Sequence, residues 1–183
     1  MDHSRPWPTM FQREADPMPG CRRFDIFLNK NRFVDHKILG ALDNTWYTIL
    51  AKEWSENTKF WEHEFNKHGS CATRSSVIGD DVNYFKRTLE LHRQLNIGMT
   101  FSLGGLKTGA TIKLRYIIDI IEKKVGATVK IDFVQNPYTG ENYITELYIC
   151  YDTHLRVMDC PNVYWSNEKL ETDIRYLDQL PRA

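Results

Sequence analysis

The 183-residue sequence holds no apolar run approaching 18 residues, so no membrane-spanning helix is expected. It has no surplus of either charge: 24 Lys and Arg against 24 Asp and Glu leave a formal net charge of +0. No global field draws such a chain onto a polyanion, which excludes a tight, non-specific nucleic-acid coat. It leaves room for an enzyme that must release a polyanion after each turnover. There is no Asn-x-Ser/Thr acceptor, no internal repeat and no linker-like stretch. The opening segment MDHSRPWPTM has no apolar core and does not read as a signal peptide. Cysteine is scarce, at Cys21, Cys71, Cys150 and Cys160. Four thiols suit two disulfides in an oxidising compartment, or reduced and buried side chains; the count alone decides nothing.

What is present suits one globular domain over 1–183, since 42% hydrophobic and 26% charged residues can fill a core and cover it. Residues 1–32 are rich in Pro, Arg and Gly and read as loop, with a short extended piece at 24–28. From Asp35, the apolar positions Ile38, Leu39, Leu42, Trp46, Ile49 and Leu50 recur at helical spacing, Trp46 reading most clearly as core. A short helix is predicted over 59–68, ended by Gly69. Another is predicted over 80–96, capped by Asp80 or Asp81, with Val82, Phe85, Leu89 and Leu95 on one face. Gly104, Gly105 and Gly109 mark a loop. Residues 110–125 read as a helix with Ile117, Ile118, Ile120 and Ile121 inside, Lys123 and Lys124 in the last turn and Gly126 past the end.

The period then changes. TVKIDFV, 128–134, alternates as a strand does; NPYTGEN is turn chemistry; YITELYICYD, 143–152, is a second strand; LRVMDC is a third. Helices first and strands last predict an α+β fold with a mainly antiparallel sheet. Cys150 and Cys160 fall on the last two strands, which could pair as a hairpin. The tail 162–183 carries Leu170, Ile174, Leu177 and Leu180 at the spacing of a short amphipathic helix. His36 and His92 on helices, and His154 in a turn, read as surface residues.

One stretch is chemically dense. KFWEHEFNKHGSC, 59–71, packs His63, Glu64, Lys67 and His68 among Phe60, Trp61 and Phe65. It reads as a metal site, an acid–base site or the solvated side of an amphipathic helix. On an α-helix with His63 at zero, Lys67 falls near ~40°, Glu64 near ~100° and His68 near ~140°. The metal reading fails on spacing. Two imidazoles share a face in H-E-x-x-H, whereas here the run is H-E-F-N-K-H and Lys67 takes the would-be ligand position. The solvated face accounts for Glu and Lys better than for two histidines beside aromatics. The acid–base reading has definite chemistry. Imidazole titrates near neutrality, cations neutralise charge growing on a phosphoryl group, and a carboxylate holds and tunes them. Such a set suits transesterification of RNA without a metal.

FWEHEFNKHGSC resembles the second active-site motif of the ribonuclease T2 family, F-W-x-H-E-W-x-K-H-G-T-C, with Phe65 for the usual Trp and Ser70 for the usual Thr. The helix YFKRTLELHRQLNI, the glycine loop, ELYICYD and MDCP agree with the family's order, closest to its plant S-RNase and S-like members, over roughly residues 20–161. The resemblance implies a ribonuclease T2-like α+β fold, an antiparallel sheet with several helices packed on it. It implies that His68 is the general base and that His63 assists at the phosphate or leaving group. Glu64 and Lys67 would stabilise the phosphorane, and Phe60 would pack a base. It pairs Cys21 with Cys71 and Cys150 with Cys160. The implied partner is single-stranded RNA, with no DNA, membrane, metal or cofactor, for a monomer that is extracellular or in the endomembrane system. An S-RNase-like member would also meet a protein partner.

The family's first motif, F-T-I-H-G-L-W-P, is degenerate within 1–20. Anchored on Trp7-Pro8, its histidine position holds Ser4, its Gly and Leu become Arg5 and Pro6, and His3 is one residue early. His3 and Trp7 are the remnants. The strand that precedes this motif in the family is missing, so the expectation is an N-terminally truncated version of the fold whose intact product starts further upstream. An alternative is a catalytically inactive RNA- or protein-binding member on the same scaffold.

Overall fold

The computed structural model describes Phe33, residues 37–47 and residues 54–177. It divides into two compact units. One takes in the described residues up to Arg93 together with Thr153–Leu155; the other covers Gln94–Asp152 and continues from Arg156.

The first unit is helical. It holds α1 (Leu39–Thr45), α2 (Trp54–Glu64), a π-helical turn (Phe65–Gly69), a 3-10 turn (Ala72–Arg74) and nearly all of α3 (Asp81–Leu95). Asp80 begins α3 as its residue type predicts: Oδ1 accepts from Asn83 N at 2.7 Å. Inside lies an aromatic cluster, with Trp61, Phe65, Tyr84, Phe85 and Phe33 each at most 1% exposed. The ring centres of Trp46 and Phe85 are 5.3 Å apart, and those of Phe65 and Tyr84 are also 5.3 Å apart. Trp46 is core, as expected. Helix α1 is shorter than the apolar spacing from Asp35 suggested. Helix α2 starts before the predicted Lys59.

The second unit is built on a sheet of order β1-β6-β3-β2, from β1 (Thr111–Lys113), β2 (Lys130–Gln135), β3 (Asn142–Tyr148) and β6 (Asp173–Arg175). The β1–β6 and β2–β3 pairs are antiparallel, while β3 meets β6 in parallel, so the sheet is mixed rather than uniformly antiparallel. Helix α5 (Leu114–Val125) buries Leu114, Ile117, Ile118 and Ile121, at most 4% exposed, in one core with Val129, Ile131, Leu147 and Ile174. Gly126 closes α5 with φ 75° and donates to Glu122 O at 2.7 Å, a left-handed cap that favours glycine. Asn136 makes the NPYTG turn, its Oδ1 accepting from Tyr138 N at 2.8 Å. A small hairpin pairs β4 (Cys150–Tyr151) with β5 (Val157–Met158), and Cys150 is bonded to Cys160 across a Cα–Cα distance of 5.1 Å. Asp159 and Cys160 tie this hairpin to residue 128. Asp159 Oδ1 accepts from Thr128 N at 2.7 Å, which lowers its pKa, and Cys160 N donates to Thr128 O at 2.9 Å.

Two expectations are corrected and one element is added. Residues 111–113 are a strand, not the start of the following helix, because they pair with 173–175. Residues 97–103, to which the sequence reading assigned no element, form α4 (Ile97–Leu103). The tail is not an amphipathic helix: α6 (Asn167–Leu170) is one turn, capped by Ser166, and β6 follows with Ile174 fully buried between β1 and β3. Leu180 lies outside the described residues, as do 24–28 and His36.

Candidate active site

The dense motif sits at the end of α2, and its apolar half explains its place. Trp61, Phe65 and Gly69 recur every four residues and are all buried. Trp61 Nε1 donates to Trp46 O, fixing α2 against the residue that follows α1. Gly69 does not cap a helix end. It sits inside the π-turn, where a Cβ would lie 2.7 Å from Phe65 Cδ2, 2.8 Å from Tyr84 Cζ and 2.9 Å from Tyr84 Cε1. Only a residue without a side chain lets the Tyr84 ring come that close.

The polar half faces away from this core. His63 and Lys67 are exposed, while Glu64 and His68 are half-buried, with His68 Nε2 withdrawn from solvent. The backbone here is not the α-helix the sequence suggested. Ser70 N donates to Phe65 O at 2.7 Å, an i→i+5 bond. A π-turn rotates less per residue than the ~100° of an α-helix. The burial pairs the four groups: His63 and Lys67 share the exposed side, Glu64 and His68 the half-buried one. Single π-turns occur mostly inside α-helices and often at functional sites. Ser70, 4% exposed, secures the turn by donating from Oγ to Asn66 O at 3.0 Å.

Behind the polar face stands a residue that sequence reasoning missed. Tyr84 on α3 is 1% exposed, and its pKa is raised, first by burial and then by the charge of Glu64. The phenol and the carboxylate are thus electrostatically linked across two helices. The signal was the YF pair in YFKRTLELHRQLNI, read as one apolar position rather than two. Phe60 is partly buried against the same core. His92 is not a plain surface residue: it is half-buried, and burial lowers its pKa. His154 is exposed, as expected. Cys71 is disulfide-bonded; its expected partner, Cys21, lies outside the described residues, as do His3 and Trp7. Among the described residues, no three His, Cys, Asp or Glu side chains converge in a way that could hold a metal.

The profile of the Ribonuclease T2 family matches residues 7–160. The chain is 31% identical over 120 residues to Ribonuclease T2 of Sus scrofa, covering 63% of this chain and 59% of that protein. It is 29% identical over 109 residues to a ribonuclease-like storage protein of Panax ginseng, covering 58% of this chain and 44% of that one. The chain thus spans about half the length of the curated relatives it matches. Among solved structures, human RNase T2 superposes with a TM-score of 0.67 at 24% identity, covering 77% of this chain and 70% of that one. At that identity the likeness speaks for the fold.

Proposed function

The chain belongs to the ribonuclease T2 family, and from that premise we propose that it is a metal-independent endoribonuclease. It cleaves single-stranded RNA by transesterification and leaves 2′,3′-cyclic phosphate ends. The observation that carries this reading is the π-turned end of α2, where two imidazoles, an ammonium and a carboxylate stand within residues 63–68 outside the aromatic core.

In this reading His68 takes the proton of a 2′-hydroxyl. That oxygen attacks phosphorus in line, the new P–O2′ bond forms and the P–O5′ bond breaks. Lys67 and a protonated His63 stand where negative charge grows on the non-bridging oxygens, and preorganised cations there act on the transition state more than on the ground state. Glu64 holds these cations in place. His63 is also the described residue best suited to return a proton to the departing 5′-oxygen. Phe60 stacks a base, a contact worth ~1–3 kcal/mol. The Cys150–Cys160 bond supports an oxidising compartment, hence a secreted or endomembrane protein.

The test is cleavage of single-stranded RNA in EDTA with analysis of the ends. Cyclic phosphate should appear, and His68→Ala should lower kcat by ~10²–10⁴-fold, the contribution of one positioned acid–base group. Cleavage that needs a divalent metal, or that ignores His68, refutes the proposal.

A second reading starts from one feature of the sequence: anchored on Trp7-Pro8, Ser4, Arg5 and Pro6 stand where the resemblance expects His, Gly and Leu, just before the family match at 7–160. A non-catalytic binding member on the same scaffold would tolerate this, and the ginseng relative is named for storage. It predicts RNA or protein binding with no cyclic-phosphate product.

A further inference from the structure

The sheet unit carries a second concavity, made in large part by residues beyond the 7–160 that match the family. A cleft of about 410 Å³ is lined by β2 and by the segment that leads into α6. Its volume lies in the ~300–1,000 Å³ range of ligand pockets. The walls bring together two ammoniums, Lys130 and Lys169, one carboxylate, Asp132, and three aromatic rings, Phe133, Tyr164 and Trp165.

One of these groups is unexplained by packing. The Tyr164 side chain is 84% exposed, although burying it would be favourable. Trp165 is half-buried and packs against the core of the sheet unit, so its ring is a fixed part of the lining. The cationic wall is already oriented: Lys130 Nζ lies 3.2 Å from Asp132 Oδ2 and 4.4 Å from the centre of the Tyr148 ring. Two cations against one carboxylate favour an anionic ligand. The free aromatic face favours one that also carries a planar ring. Aromatic platforms beside basic side chains are how proteins hold single-stranded nucleic acid without reading its sequence. An acidic peptide would use the lysines and leave the Tyr164 ring idle.

We infer that this cleft binds one nucleotide unit of single-stranded RNA. A base stacks on Tyr164 and its phosphate meets Lys169 and Lys130. The inference rests on RNA being the substrate, as read above, but it does not need the chain to cleave.

The experiment uses the intact chain and a 2′-O-methyl oligonucleotide, which has no 2′-hydroxyl to react. Its Kd is followed by fluorescence anisotropy for the wild type, Tyr164→Ala and Lys169→Glu. Both substituted residues are exposed, so circular dichroism should show unchanged folding. Tyr164→Ala should raise Kd by about ten-fold, in the range of one lost stacking contact. Lys169→Glu should weaken binding and flatten its salt dependence. Cleavage of a dinucleotide, which has no residue to spare for a second site, should be unchanged in both. Equal Kd values for all three proteins overturn the cleft, whatever happens to cleavage. So does an acidic peptide that displaces the oligonucleotide as well as RNA does, which would assign the cleft to a protein partner. A wild type that binds through Tyr164 yet cleaves nothing upholds the cleft and refutes the catalytic reading alone.

Discussion

Replacing Gly69 with alanine puts a methyl group where three ring carbons already stand. The added Cβ would meet Phe65 Cδ2 at 2.7 Å and two carbons of Tyr84 at 2.8 and 2.9 Å. Both rings are at most 1% exposed and locked in an aromatic cluster, so they cannot swing aside as a flexible side chain would. Overpacking of this kind costs ~1–3 kcal/mol. Alanine returns ~0.5–1 kcal/mol because glycine is a poor helix residue. The two ranges leave a net loss of ~0–2.5 kcal/mol, and the locked rings put it in the upper part, about 1–2 kcal/mol, a fall of roughly 0.5–1 M in the urea midpoint. Gly40 in α1 is the control: nothing lies within 4 Å of its added Cβ, so Gly40→Ala should stabilise by ~0.4–1 kcal/mol. The same chemical change then moves the midpoint in opposite directions at the two sites. The Gly69→Ala penalty should also shrink in a Tyr84→Leu background, where two of the three colliding atoms are gone. A Gly69→Ala midpoint equal to or above wild type refutes the argument that Tyr84 dictates glycine in the motif.

Three further predictions concern stability. Burial lowers the His92 pKa in the folded state while the unfolded value stays near ~6.5. Below that pH the unfolded chain binds more protons, so stability is full above it and falls as pH drops through the folded value. His92→Gln should flatten this acid limb in urea titrations carried downward from about pH 6.5; an unchanged limb refutes the assignment. The Cys150–Cys160 bond closes a separation of 10 residues, so Cys150→Ser with Cys160→Ser should cost about 3 kcal/mol. A urea midpoint insensitive to both the double substitution and a reducing agent would contradict this. Ile174→Ala should cost ~2–5 kcal/mol, as for a buried aliphatic side chain; a loss below ~1 kcal/mol would remove Ile174 from the core.

What the sequence made legible was what depends on near neighbours. The Asp80 cap, the NPYTG turn, the apolar face of α5 and its Gly126 stop are local chemistry, and they stand where the residues put them. The Cys150–Cys160 pairing followed from strand placement and family resemblance. The misses are contacts between distant segments. Three residues, Thr111–Lys113, show no readable period, and become a strand only because Asp173–Arg175 lies 60 residues on. The spacing of Leu170, Ile174 and Leu177 mimics a helix because one turn and a short strand happen to fall in register with it. At the candidate site, the four ionisable side chains were visible, but the π-turn was not. An i→i+5 bond over five residues leaves no trace in an apolar pattern. Tyr84 was missed for a related reason: its link to Glu64 exists only once α2 and α3 are packed.

The strand order β1-β6-β3-β2 also has a consequence for biosynthesis. Because β6 bridges β1 and β3, the sheet cannot join until residues 173–175 have left the ribosome. Until then the emerging chain can offer only a β2–β3 ribbon and a solitary β1, each with unsatisfied backbone edges. A ribosome that stalls before Asp173 would therefore release a half-assembled, sticky product, a natural client for chaperones.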